Sequence, residues 1–115
     1  MEMQNETLWA DVFYLDKRAG TLIKTRTGYE YVYDPTYLAD PAARPISFSM
    51  PLQGDKYVSQ RLFSFFDGLL PEGWLLDLIS ATTKIDKDNK FGLLLHTGSD
   101  PIGAVSIRSG EGNPQ

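Results

Sequence analysis

The hydrophobic period changes partway along this chain, and that change limits its possible folds more than any other feature. In the first half apolar and polar residues alternate, most plainly in Tyr29-Glu30-Tyr31-Val32-Tyr33, where three tyrosines share one side of a period-two run. From Ser59 onward Leu62, Phe63, Phe66, Leu69 and Leu70 recur at steps of three and four, the spacing of an amphipathic helix. Ile102-Gly103-Ala104-Val105-Ser106-Ile107 then reads as a strand again. Strands, then helices, then a closing strand predict an α+β domain, an antiparallel sheet with two or three helices packed on one face.

Turn chemistry divides the first half. Leu8 to Leu15 is rich in β-formers and is closed by Asp16-Lys17-Arg18-Ala19-Gly20, whose glycine is free to take positive φ. Thr21 to Lys24 and Tyr29 to Tyr33 flank Thr27-Gly28, which gives a three-stranded meander. Asp34-Pro35 and Asp40-Pro41 hold Thr36 to Ala39 to one helical turn. Arg44-Pro45-Ile46-Ser47-Phe48-Ser49-Met50-Pro51 alternates apolar and hydroxyl residues between prolines and reads as a short edge strand.

In the second half a first helix begins at Ser59 and must stop between Gly68 and Pro71. A second runs from Trp74 to Ala81, with Leu75, Leu78 and Ile79 on one face. A third follows Asp86-Lys87-Asp88, with Asp88 as N-cap, Phe91, Leu94 and Leu95 turned inward, and Gly98 at its end. The expected organisation is one domain over residues 9–108, with flexible segments at 1–8 and 109–115.

Composition removes most chemistry. A chain of 115 residues, 42% apolar, hides enough surface to hold a core without staples, and it has no cysteine. That fits a reducing compartment, and the first residues, Met1-Glu2-Met3-Gln4-Asn5-Glu6, carry neither a basic segment nor an apolar run, so the expected location is cytoplasmic. Without cysteine, and with His96 as the lone histidine, thiolate and multi-histidine metal sites are excluded; no cofactor motif is present either. Eleven basic against fifteen acidic residues leave a net charge of −4, which disfavours direct binding of nucleic acid, and no stretch is long enough for a membrane span.

Few side chains are left for a site. Asp67 and Glu72 lie close in sequence and a carboxylate pair can do acid–base work, but the plainer reading puts Asp67 in solvent and Glu72 at the positive end of the next helix. His96 at a helix end similarly complements the dipole. Lys84, Lys87 and Lys90 are interleaved with Asp86 and Asp88 and read as a solvated face rather than an anion patch. No catalytic residue is assigned. Trp74 is different, because it follows Pro71-Glu72-Gly73 at a turn between two helices. Its spacing is equally compatible with burial in the core and with display as an interface anchor.

Four ordered blocks then point to a family. Arg44 to Leu52, Phe65-Phe66-Asp67-Gly68-Leu69-Leu70-Pro71-Glu72-Gly73, Phe91-Gly92-Leu93-Leu94, and Gly98-Ser99-Asp100-Pro101-Ile102-Gly103-Ala104-Val105 resemble the N-terminal subdomain of HipA-type serine/threonine kinases. The resemblance implies that nucleotide, metal and catalytic aspartate belong to a kinase core outside these residues. It further implies a free-standing version of the subdomain, similar to HipS, which acts as an antitoxin against a HipT-like kinase beside a HipB-like DNA-binding protein. The expected kinase-binding residues are Pro71, Glu72, Gly73, Trp74 and Leu75, with Trp74 inserted and Glu72 facing a basic residue of the kinase. Two other readings stay open: a structural subdomain cut from a longer HipA-type toxin, and a small hydrolase using Glu72 or His96.

Overall fold

The structure, a computed structural model, describes residues 8–98 and 104–109. Its elements are β1 (Leu8–Tyr14), β2 (Lys17–Lys24), β3 (Tyr29–Tyr33), α1 (Pro35–Ala39), β4 (Tyr57–Ser59), α2 (Ser64–Asp67), α3 (Gly73–Thr83), α4 (Lys90–Thr97) and β5 (Val105–Ser109). The five strands form one sheet in the order β4-β3-β2-β1-β5, with every neighbouring pair antiparallel. The expected flexible segments lie outside the described residues except at Leu8 and Ser109, both strand residues. Ile102 and Gly103 of the expected closing strand also lie outside them.

The alternation of β3 sets the core. Tyr31 and Tyr33 are fully buried, and Tyr31 meets Tyr33 edge-on at 5.0 Å and Phe66 of α2 at 5.8 Å between centroids. Ala10 and Val12 of β1, Ala19 and Leu22 of β2 and Val105 and Ile107 of β5 add to the sheet's share, and Tyr37, Phe66, Phe91 and Leu94 close it from the helices. The sheet register puts Arg18 on the other face. There its guanidinium donates to Asp11 at 3.0 Å, to Asp34 at 2.8 Å and to the Thr21 hydroxyl at 2.6 Å. Asp34 is also the N-cap of α1, so one arginine ties β1, β2 and α1 together.

The first turn differs from the sequence expectation. The β1–β2 reversal is made at Leu15-Asp16, where Leu15 itself takes φ 57°, and Gly20 lies inside β2 opposite Val12 and Tyr33. Gly20 is there for space: a Cβ would stand 2.3 Å from the Val32 carbonyl oxygen and 2.5 Å from the Tyr31 hydroxyl.

Arg44 to Pro51 is not a strand, and the edge strand is Tyr57–Ser59. The segment is held by one tyrosine instead of a ladder: Ile46 N–H donates to the Tyr33 hydroxyl at 3.0 Å, and that hydroxyl donates to the Met50 carbonyl. Ser47 and Ser49 form a local turn, the Ser49 N–H donating to Ser47 Oγ at 3.2 Å. Tyr33→Phe should therefore cost about 1–3 kcal/mol by leaving both backbone groups without a partner. A lowered urea midpoint with an unchanged slope is the expected result.

Burial, with a smaller opposing effect from the Ile46 N–H, pushes the Tyr33 hydroxyl up to about 12, and burial raises Tyr31 as well. An unfolded tyrosine ionises near 10, so this contribution to stability is complete below about pH 10 and is lost as pH rises toward 12. Urea midpoints measured across that interval should fall together with the appearance of tyrosinate absorbance.

The helices depart from the expected bounds for local reasons. The period that began at Ser59 produces only the single turn of α2, because residues 57–59 pair with β3 and only the chain beyond Phe63 coils. α4 is capped by Asn89, not Asp88; the Asn89 side chain accepts from the Gly92 N–H at 3.0 Å. Phe91 and Leu94 point inward as expected and Leu93 joins them, while Leu95 is only half-buried. The C-cap Gly98 accepts from the Ile107 N–H at 2.9 Å, which covers part of the outer edge of β5.

Candidate functional site

α3 is a helix of 11 residues that buries none of them. Two stripes compete along it. Leu76, Ile79, Ser80 and Thr83 stand at steps of three and four and are half-buried, so this stripe faces the protein. Trp74, Leu75 and Leu78 occupy a neighbouring arc of about 100° and face solvent, at 76%, 40% and 50% exposure. Leu75, Leu78 and Ile79 stand on one side of the helix as expected, but of the three only Ile79 is half-buried, and Trp74 beside them is displayed rather than folded into the core.

The turn before the helix explains the display. Gly73 has φ +61°, a left-handed conformation that a side chain would oppose, and its Cβ direction is open space. Glu72 is the exposed N-cap residue in extended backbone, and its side chain makes no capping bond. Pro71 fixes the chain two residues earlier. Pro71, Glu72, Gly73, Trp74 and Leu75 thus form one continuous exposed or half-exposed corner, and α3 adds Leu78. The helix ends at Lys84, which takes φ 65° where glycine is more usual.

Asp77 pairs with Lys87 at 2.7 Å and Asp67 with Lys90 at 2.9 Å, both exposed pairs that orient side chains more than they stabilise. The pairing of Lys87 and Lys90 with neighbouring carboxylates agrees with a solvated face rather than an anion site. Asp67 is engaged by Lys90 and His96 is exposed in the last turn of α4, and among the described residues no hydrogen bond joins either of them to Glu72. Among the described residues no group of three or more His, Cys, Asp or Glu stands together as a metal set, and no helix is long and apolar enough to cross a membrane.

Two exposed residues were not singled out from sequence. Leu78, expected on the apolar face with Leu75 and Ile79 but not as a site residue, extends the Trp74 stripe by one helical turn. Phe48 is fully exposed at the tip of the loop held by Tyr33. Its alternating neighbours had the appearance of a strand, and nothing local signals the long-range staple.

The family profile described as the HipA N-terminal domain matches residues 10–108. The chain belongs to that family. A protein of Haemophilus influenzae described as uncharacterized is 33% identical over 97 residues, which cover 84% of this chain and 88% of that protein. A solved structure described as the N-terminal domain of HipA toxin aligns with a TM-score of 0.71 at 26% identity, covering 96% of this chain and all of that one. The HipA-type relation expected from the sequence therefore rests on sequence and fold together. What the chain matches is a HipA N-terminal domain.

Proposed function

We propose that this chain is a component of a HipA-related toxin–antitoxin system and acts as the antitoxin, binding a HipT-like serine/threonine kinase and holding it inactive. The observation that carries this reading is the unburied stripe of α3. Large apolar residues in an exposed row are the usual mark of a protein interface, and tryptophan is the residue type most often dominant there. A matched length of 97 residues that makes up 88% of the Haemophilus influenzae relative supports the free-standing form, since that relative has little room for a kinase domain.

The domain inhibits by occupation. Trp74 enters a cleft of the kinase, Leu75 and Leu78 seal the rim, and Glu72 faces a lysine or arginine. The kinase is thereby held in a conformation that cannot complete its cycle, a population shift driven by the difference in affinity between its two states. The chain itself needs no catalytic group or cofactor for this, and a cytoplasmic location fits a kinase partner. A HipB-like DNA-binding protein is a third member of the assembly. Co-expression with the HipT-like kinase should give one peak on size-exclusion chromatography and relieve growth arrest, whereas separate peaks and continued arrest would contradict the proposal.

A second reading has one observation in its favour, the full coverage of a HipA toxin's N-terminal domain. In it the chain is a structural subdomain of a longer kinase and the same α3 stripe is covered within one polypeptide. Intact mass of the protein expressed from its own gene separates the two.

A further inference from the structure

Away from α3, between the Tyr33-held loop and the start of α2, lies an open cleft of about 390 Å³. Its floor is apolar, formed in part by the buried Met50 and Leu62, and its polar lining consists of hydroxyls and the exposed Arg61. Among the described residues no carboxylate lines it, on a chain whose net charge is −4.

The donors are available to a ligand. The Arg61 N–H donates to Ser59 Oγ at 3.2 Å, so the Ser59 hydroxyl acts as an acceptor inside the protein and its own proton remains free for the cleft. The Tyr57 hydroxyl is already directed to the Pro51 carbonyl at 2.6 Å, which fixes that wall. Ser64 contributes a further hydroxyl. A guanidinium offers a planar fork of two parallel N–H groups that engages two oxygens of an anion, and the two serine hydroxyls of the same lining are further donors for which a third oxygen on the same centre gives a separate acceptor.

We infer that the cleft lined by Ser59, Arg61 and Ser64 binds a phosphoryl group, with the apolar floor receiving the carbon chain that carries it. In this arrangement Arg61 takes two phosphoryl oxygens as a fork and the serine hydroxyls take the third. The inference does not depend on the α3 stripe. It does gain a natural source from the proposed partner, since a serine/threonine kinase produces phosphorylated hydroxyl side chains.

Amide and arginine-side-chain NMR spectra of the isolated chain test it without any kinase, so its failure is separate from failure of the antitoxin reading. The chain is titrated at constant ionic strength with inorganic phosphate, with N-acetyl-phosphoserine amide, and with acetate. Saturable shifts of the Arg61 Nε–H and the Ser59 and Ser64 amides in a phosphate arm, about tenfold weaker in R61Q and only partly weakened in R61K, are expected. Tighter binding of the capped phosphoserine assigns the source to a phosphorylated polypeptide, and equal binding of inorganic phosphate assigns it to the free ion; both support a phosphoryl site. Acetate acting as strongly as phosphate, an R61Q titration identical to wild type, or shifts that do not saturate in either phosphate arm would overturn it. Arg61 is exposed, so R61Q keeps the fold and its thermal unfolding serves as the control.

Discussion

Trp74→Ala is expected to weaken binding of the HipT-like kinase by roughly 30- to 1000-fold, the loss of about 2–4 kcal/mol that follows truncation of a central tryptophan anchor. The same substitution should leave folding almost untouched. Trp74 is 76% exposed and α3 has no buried residue, so little apolar area returns to water when the indole is removed, and the change in stability should stay within about 0.5 kcal/mol. Calorimetric titration against the kinase and thermal unfolding of the chain alone give the two numbers. Equal affinity in an intact Trp74→Ala domain would remove this side chain from the interface.

The second large effect is structural. Gly20→Ala should destabilise the domain by about 3 kcal/mol or more, a large part of the stability of a chain this size. The new Cβ would approach the Val32 carbonyl oxygen to 2.3 Å, and that oxygen is backbone in the neighbouring strand, where a rotamer change gives no relief. The Tyr31 hydroxyl at 2.5 Å is the softer of the two obstacles, because among the described residues it has no hydrogen-bond partner to lose. Combining Gly20→Ala with Tyr31→Phe should therefore recover only part of the loss. A urea midpoint for Gly20→Ala equal to that of the unchanged chain would contradict the close approach of β2 and β3.

Which parts of this fold were legible in the sequence follows from how local their causes are. The meander was readable because Tyr29, Tyr31 and Tyr33 repeat at the strand period, and α1 because Asp34-Pro35 and Asp40-Pro41 confine the residues between them to one turn. The edge strand was not. β4 is three residues long, too short to show a period, whereas Arg44 to Pro51 has the alternation of a strand but spends its backbone groups on the Tyr33 hydroxyl, 13 residues from Ile46 and 17 from Met50. The Asp88-for-Asn89 cap differs by one position, within the range where several short polar residues compete for the same N–H groups.

The candidate site shows the same division. The corner Pro71 to Leu75 was legible as a turn with a large aromatic after it, because proline and glycine punctuate the chain there. Whether Trp74 is buried was not legible. α3 carries apolar residues over most of its circumference, so its period is satisfied by either stripe, and only the structure shows Leu76 and Ile79 half-buried while Trp74, Leu75 and Leu78 stay exposed. Phe48 and the Arg61 cleft depend on a loop held by long-range hydrogen bonds and left no sequence signal.

Hydrogen exchange of the chain, free and in complex with the HipT-like kinase, locates the docking surface without altering a residue. Slowed exchange concentrated in residues 71–83 on complex formation is the predicted outcome. Slowing elsewhere, with 71–83 exchanging as in the free chain, would mean that the exposed stripe of α3 is not where the kinase is held.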